Sequence, residues 1–239
     1  MTKSPHILVL SGAGISAESG LATFRDQGGL WEQYPLEEVA TYTAWQQHPE
    51  RVLEFYNLRR RQAAQAQPNA AHFALAQLEK HFHVRIVTQN VDNLHERAGS
   101  QCILHLHGEL DKARSSLDSR LIYPLYGRDI HPGDLCDKGS QLRPHIVWFE
   151  EAVPLYPQAY EWVAAADYVL IIGTSLEVQP AASLIHAVRA QVPCIRIDPD
   201  PQAIPGVYNL VATATQGVPQ LVDYWCTHGL GLPDFIQPS

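Results

Sequence analysis

With 239 residues, 46% of them hydrophobic, the chain can bury a sizeable core, as one large domain or as one domain with a smaller module. A formal charge of −8 with histidine neutral argues against a nucleic-acid partner, and no run of 18 apolar residues suggests a membrane span. Cys102, Cys136, Cys194 and Cys226 are scattered without a C-x-x-C pair, giving neither a usual zinc spacing nor a disulfide framework. Residues 1–5 lead straight into an apolar strand with no room for a signal peptide, so a soluble, reduced, cytoplasmic protein is expected.

In chain order, residues 6–10 read as a short buried strand that Gly12-Ala13-Gly14 breaks. Residues 32–67 are amphipathic and helical, with Pro49 as a first-turn residue. Asn69 is the expected N-cap of a helix over 70–81, with Leu75 and Leu78 on one face. Strand-like runs follow at 84–87, 102–107, 168–172 and 194–197, and helical runs lie between or after them at 96–98, 180–191 and 218–227. This alternation predicts an α/β fold, a Rossmann-like parallel sheet with helices on both faces. Two stretches break the rhythm: 32–67, and 115–143, which is rich in Gly, Pro, Asp and Ser. They are read as two insertions that form a smaller module. The expected division is 1–31, 70–112 and 143–239 for the sheet domain, and 32–69 and 113–142 for the small one.

Thr88-Gln89-Asn90-Val91-Asp92 sets two amides and a carboxylate on a turn just after a strand. Open α/β folds build their sites at such strand ends, although the same residues also suit a well-capped helix start. Gly12-Ala13-Gly14-Ile15-Ser16-Ala17 matches G-x-G-x-x-A after a strand. That pattern suits either a backbone that approaches a pyrophosphate or a tight turn that needs positive φ. The acid expected about 20 residues later, at the end of a second strand, is missing; Trp31-Glu32 follows no strand, so this is not an ordinary dehydrogenase half.

Six blocks in order resemble the sirtuin family of NAD-dependent protein deacylases. Gly12 through Arg25 with Gly29-Leu30-Trp31 is similar to its first signature, and Thr88 through Asp92 with Leu94 through Gly99 to its second. His107-Gly108-Glu109-Leu110 is similar to the catalytic histidine motif; Leu142 through Phe149, Gly173 through Pro180 and Val218-Pro219 complete the order. The similarity is greatest to the bacterial subgroup called class III. The resemblance implies that Gly12, Ala13 and Gly14 receive the pyrophosphate of NAD, with Ile15 beside them, and that Phe24 and Arg25 close over the nicotinamide ribose. It implies that Gln89, Asn90 and Asp92 line the nicotinamide pocket, that Gly173, Thr174 and Ser175 hold phosphate or ribose oxygens, and that Ala214 sits by the adenine. His107 is then the base and Asn90 its catalytic companion; imidazole titrates near working pH.

The implied reaction transfers the acyl group of a lysine side chain to ADP-ribose, giving nicotinamide, O-acyl-ADP-ribose and free lysine. Val147, Phe149 and Val178 are implied substrate contacts, along a segment that pairs with the peptide backbone as a strand. Tyr56 and Arg59 fall at i and i+3 of a helix and resemble the class III pair that reads an acidic acyl group, and Ala40 matches the small residue that widens its pocket. Desuccinylation, demalonylation and deacetylation are therefore expected. Arg60 and Arg61 read as a solvated basic face. His105, two residues before His107, reads as a hydrogen-bonded structural residue, because no carboxylate or Cys cluster completes a metal pair.

The chain departs from the family pattern at three places. Where many sirtuins carry four zinc-binding cysteines it offers Ser115, Ser116, Cys136 and Gly139, so no metal is expected, since one thiolate cannot make a tetrahedral structural site. Glu150 replaces a usual Gly after Trp148-Phe149. Asp198 replaces a usual Asn; its carboxylate can accept from ribose hydroxyls and repel a 2′-phosphate, which favours NAD over NADP. Protein mono-ADP-ribosyl transfer and a non-catalytic NAD-binding module are the competing readings. The acyl pocket would be idle in the first, and the second leaves His107 and Asn90 without a role.

Overall fold

A computed structural model of the chain describes residues 5–23, 34–202 and 204–238. Phe24, Arg25 and Gly29-Leu30-Trp31 lie outside the described residues. The elements run β1 (His6–Ser11), α1 (Gly14–Ala17), α2 (Leu36–Val39), α3 (Tyr42–Gln47), α4 (Pro49–Gln65), α5 (Ala70–Leu78), β2 (His83–Thr88), α6 (Leu94–Ala98), β3 (Ile103–His105), β4 (Gly108–Ser115), β5 (Ile122–Pro124) and β6 (Leu142–Ile146). After these come α7 (Tyr156–Ala164), β7 (Tyr168–Ile172), a 3-10 helix (Ala181–Ala187), β8 (Cys194–Asp198), β9 (Tyr208–Val211) and α8 (Ala214–His228).

Six strands form a parallel sheet in the order β3-β2-β1-β7-β8-β9. β1 shows why the sheet is covered twice. Ile7 and Val9 pack into the layer of α5 and α8, with Leu75, Leu78, Leu221 and Trp225. Leu8 and Leu10 pack into the opposite layer, with Val163 of α7 and Leu184 of the 3-10 helix. A strand with apolar residues on both faces is what a parallel sheet under helices requires.

The second unit is an antiparallel sheet, β5-β4-β6, packed with α2, α3 and α4 around Trp45, Phe55, Tyr56 and Trp148. α4 begins with Pro49 in its first turn, where a missing N–H costs nothing. It buries Val52, Phe55, Tyr56, Arg60 and Ala63 at helical spacing. The fold is thus the expected parallel sheet plus a small module. The division expected between 112 and 113 falls inside β4, which already belongs to the small sheet from Gly108 onward.

Three local expectations change. The segment expected as a helix over 180–191 is a 3-10 helix of seven residues between Pro180 and an extended Val188, the tighter form common in short connecting pieces. The last helix starts at Ala214 rather than 218 despite Gly217 and Pro219, both poor helix formers. Gly217 is there for packing, since a Cβ would lie 2.5 Å from Ile197 Cγ2 on β8. Arg60 is not on a solvated face. It is 3% exposed, its Nε donating to the Leu110 carbonyl and its Nη1 to Asn57 Oδ1 at 2.6 Å, because it falls one helical turn after Tyr56. Arg61 does point outward, to Asp129.

Candidate active site

Between β1 and β7 the strand order reverses direction, which opens a crevice at the carboxyl ends of the strands. The turns that leave these two strands touch. Gly12 N donates to Ile172 O at 3.0 Å and Gly14 N to Gly173 O at 2.9 Å. A Cβ on Gly14 would stand 2.7 Å from Gly173 Cα, and Gly173 has φ +58° with Ile15 N only 2.4 Å from its missing Cβ. Only glycines fit this contact. The sequence motif therefore marks a close approach of two backbones at the floor of the crevice.

A cavity of about 530 Å³ opens above that floor, within the range of roughly 300–1,000 Å³ usual for small-molecule sites. Its walls include Gly12, Ala13, Gly14, Gln89, Asn90, His107, Gly173, Thr174, Ser175, Asp198 and Ala214 from the parallel-sheet domain. The small module and the strand beside it supply Ala40, Tyr56, Arg59, Val147 and Phe149, and Val178 follows β7. Asp92 lines an annex of about 30 Å³ with Ala13, Ser16, Arg59 and Asn90. Ile15 does not reach the cavity: its side chain is fully buried in the core under the floor.

The loop after β2 is tied down by a series of hydrogen bonds. Gln89 N donates to Ser11 O at 2.9 Å and Gln89 Nε2 to Thr174 Oγ1 at 3.1 Å, across the crevice. Asn90 N donates to Thr88 Oγ1 at 3.0 Å and Asn90 Nδ2 to Ser16 Oγ at 3.2 Å. The Ser16 hydroxyl in turn donates to Asp92 Oδ2 at 3.2 Å, and Asp92 Oδ1 accepts the Leu94 N–H at 3.1 Å. Asp92 thus also satisfies the N–H of the first residue of α6. Burial raises its carboxyl above the ordinary value, against the pull of the Leu94 N–H, the Ser16 hydroxyl and the nearby His105 and Arg59. Ser16 was not singled out from the sequence, although it is the first polar residue inside the glycine motif.

His107 stands half-buried at the end of the short loop between β3 and β4. Its Nδ1 donates to the Gln89 carbonyl at 3.2 Å, which fixes the tautomer and leaves Nε2 as the acceptor. Burial lowers its pKa, and the Gln89 carbonyl offsets only part of that, which favours the neutral ring. Next to it Gly108 has φ +87°, and a Cβ there would lie 2.0 Å from the His145 carbonyl oxygen.

Tyr56 is 2% exposed, its ring 6.1 Å from that of Trp148. Burial pushes its phenol up to about 12, despite the nearby Arg59 guanidinium, so it remains a proton donor. Arg59 is half-buried on the same helix face and borders both the cavity and the annex. Its guanidinium carbon lies 5.9 Å from the centre of the Tyr56 ring. On the side of the small module, Phe149 N donates to Ala40 O at 3.0 Å and Tyr42 N to Phe149 O at 3.2 Å, which holds the 147–149 segment against the module. At the other end Asp198 Oδ1 lies 3.2 Å from Arg196 Nη2 and accepts the Asp200 N–H at 2.9 Å. Arg196 itself is buried, its Nη1 donating to the carbonyls of Asp200 and Gln202.

The tip of the small module carries one cysteine, Cys136, among hydroxyl groups. Ser140 Oγ lies 2.9 Å from Ser115 Oγ and 3.1 Å from Cys136 Sγ, a hydroxyl–thiol cluster that closes the two turns. Among the described residues no three His, Cys, Asp or Glu side chains are grouped as metal ligands would be. No helix of the described residues is long and apolar enough to cross a membrane.

Residues 12–180 match the Sir2 family. A protein from Helicobacter pylori named NAD-dependent protein deacylase is 55% identical over 194 residues, 81% of this chain and 84% of that one. One of the same name from Bacteroides thetaiotaomicron is 49% identical over 226 residues, 90% and 96% of the two chains. Among solved structures, a Sir2 homologue in complex with NAD superposes with a TM-score of 0.86 at 40% identity, over 94% of this chain and 91% of that one. A Sir2 complex with a p53 peptide and NAD+ superposes at 0.77 with 26% identity, over 94% and 95%. The glycine floor at the strand switch, the tethered amide loop and the histidine beside it are thus set in a fold shared along nearly the whole chain, and this chain belongs to the Sir2 family.

Proposed function

We propose that the protein is an NAD-dependent protein-lysine deacylase that removes succinyl and malonyl as well as acetyl groups. The observation that carries this reading is the convergence of Tyr56, Arg59 and His107 on one cavity whose floor is Gly12, Gly14 and Gly173. The deacylase names of its relatives and the NAD and peptide complexes of its structural neighbours support the class of reaction. The acidic-acyl preference rests on the Tyr56–Arg59 pair.

The cavity fits NAD in size, and its floor is formed where the turns of Gly12, Gly14 and Gly173 meet, with Ala13 the one side chain between the first two glycines, so a pyrophosphate can approach backbone there. Bound NAD supplies a glycosidic bond whose leaving group is nicotinamide. Asn90, held by Thr88 and Ser16, presents its amide edge to the nicotinamide end, and Gln89 braces the floor through Thr174. His107 takes a ribose-hydroxyl proton at Nε2, since Nδ1 is engaged by Gln89. Val147 and Phe149 line the way in for the acylated lysine, whose acyl end passes Ala40. A carboxylate at its tip meets the Arg59 guanidinium and the Tyr56 hydroxyl, two donor groups on one helix face. Asp198 lies at the adenosine end with Ala214 and favours NAD over NADP.

The direct test is turnover of matched acetyl-, succinyl- and malonyl-lysine peptides with NAD, with products resolved by mass. Nicotinamide and the matching O-acyl-ADP-ribose are expected from all three peptides. An ADP-ribosylated protein with the peptides left acylated would overturn the reading.

A further inference from the structure

Behind the Asn90 loop lies a histidine that the reaction as described does not use. His105 ends β3, is 7% exposed, and has acceptors at both ring nitrogens. The Asn90 carbonyl oxygen is 3.0 Å from Nδ1 and Glu96 Oε1 is 2.7 Å from Nε2. A neutral imidazole carries one N–H, so either tautomer would leave a ring lone pair facing an oxygen lone pair. With Glu96 ionised, only the imidazolium satisfies both contacts. We infer that His105, held as an imidazolium between the Glu96 carboxylate and the Asn90 carbonyl, is a positioning residue for the nicotinamide pocket, and that turnover depends on its charge.

The surrounding groups agree with this assignment. Burial opposes the charge, but the Glu96 hydrogen bond and charge, the Asn90 carbonyl and Glu109 of β4 outweigh it, and His105 lies above its ordinary value. Glu96 lies below its own: burial raises it, and His105 and Lys112 more than compensate. Asp92 is the remaining anion near the ring. His95 of α6 and His145 of β6 also face it, and both lie below their ordinary values, with burial the first cause in each, so neither competes for the positive charge. With the carbonyl of Asn90 held by His105, its N–H by Thr88 and its side chain by Ser16, the residue keeps no free rotation. A slip of about 1 Å at such a site can cost a hundredfold in rate.

The inference rests on the placement of Asn90 in the nicotinamide pocket, and two independent measurements separate the two ideas. In the first, the wild-type protein labelled with nitrogen-15 at histidine is observed by NMR at about pH 7, with the His105 signals identified by their loss in His105→Asn. Both ring nitrogens should be protonated; a neutral ring overturns the inference whatever the site does. In the second, kcat and KM are followed against pH in Glu96→Gln, His105→Asn and His105→Leu. A group raised above its ordinary value loses its charge as pH rises through that higher pKa, so kcat should fall on the alkaline side. Glu96→Gln removes the stabilising anion and should move that fall to lower pH with the peptide KM unchanged. His105→Leu should lose roughly ten- to a hundredfold in kcat, and His105→Asn, which keeps one donor for the carbonyl, should recover part of it. An unshifted profile in Glu96→Gln, or an equal loss in kcat at every pH, reduces His105 to a structural residue and sinks the proposal. Asn90→Ala is the control: wild-type turnover in that variant would dismiss the role of Asn90 and leave the NMR result to decide the charge.

Discussion

Glu150 reaches back to Thr43, its Oε2 accepting the Thr43 backbone N–H at 2.9 Å and the Thr43 hydroxyl at 2.8 Å. This contact ties the end of the 147–149 segment to the first turn of α3, where an acidic group also suits the helix dipole. It is made from a strained backbone, because Glu150 has φ +75°. A left-handed conformation costs a residue with a Cβ about 1–2 kcal/mol, while an exposed hydrogen bond returns about 0.5–1.5 kcal/mol. Glu150→Ala loses the bonds and keeps the strain; Glu150→Gly loses the bonds and relieves it. The alanine variant should therefore be the less stable of the two by about 1 kcal/mol in urea denaturation. Equal stabilities would mean that the positive φ is not held in solution.

Arg59→Met tests the acyl preference. A hydrogen bond to a charged group contributes roughly 1.5–3 kcal/mol, so kcat/KM for succinyl-lysine should fall about ten- to a hundredfold. Acetyl-lysine, which has no carboxylate, should barely change. Tyr56→Phe should act in the same direction with a smaller loss. Equal losses on both substrates would make Arg59 a general support of the cavity rather than a reader of the acyl group.

His107 should set the acidic side of the pH profile. Its folded pKa is lowered by burial, so the neutral base persists below the ordinary histidine value of about 6.5. Activity should fall only as pH drops through that lower pKa. His107→Ala should abolish O-acyl-ADP-ribose formation while calorimetry still shows NAD binding. Near wild-type turnover in that variant, with folding confirmed, would remove His107 from the role.

His72 should make the fold sensitive to acid. Burial pushes it down to about 4, with Glu96 a small opposing influence. A group whose folded pKa is depressed contributes stability that is complete above its unfolded pKa, about 6.5, and declines as pH falls toward 4. The loss across that window should be about 3 kcal/mol. His72 is also the third residue of α5 and closes a capping box with Asn69. Gln serves that position without titrating, so His72→Gln should flatten the pH dependence of urea unfolding; an unchanged slope would place the sensitivity elsewhere.

Zinc should be dispensable for the small module. Elemental analysis of the purified protein should find well under one zinc per chain, and a chelator should leave activity intact. A stoichiometric metal whose removal unfolds the protein would mean that the Ser115–Ser140–Cys136 cluster does not close the module in solution.

The crevice was legible because its pieces are local in sequence. A strand ending in Gly12-Ala13-Gly14 and another ending in Gln89-Asn90 need only strand periodicity and polar residue types to be found. The face of α4 followed from helical spacing, which also held the signal for Arg60: it lies four residues after Tyr56, yet three arginines in a row suggested solvent. The small sheet was not legible. β4 reads Gly-Glu-Leu-Asp-Lys-Ala-Arg-Ser, with charged residues between its buried Leu110 and Ala113 and a break in register between Glu109 and Ala113. Its strand character comes from pairing with β6, a partner some thirty residues away, and no local pattern encodes that. His105 was read as a hydrogen-bonded residue, but its two acceptors come from the loop before it and from α6, and only the fold brings them together.

Gly108 gives the cleft a fixed point. With the His145 carbonyl filling the space where a side chain would stand, β4 and β6 are locked to each other at the residue after His107. Any side chain at residue 108 would have to push these two strands apart, so the backbone that carries His107 to the cavity wall depends on the pairing of the small sheet as well as on β3.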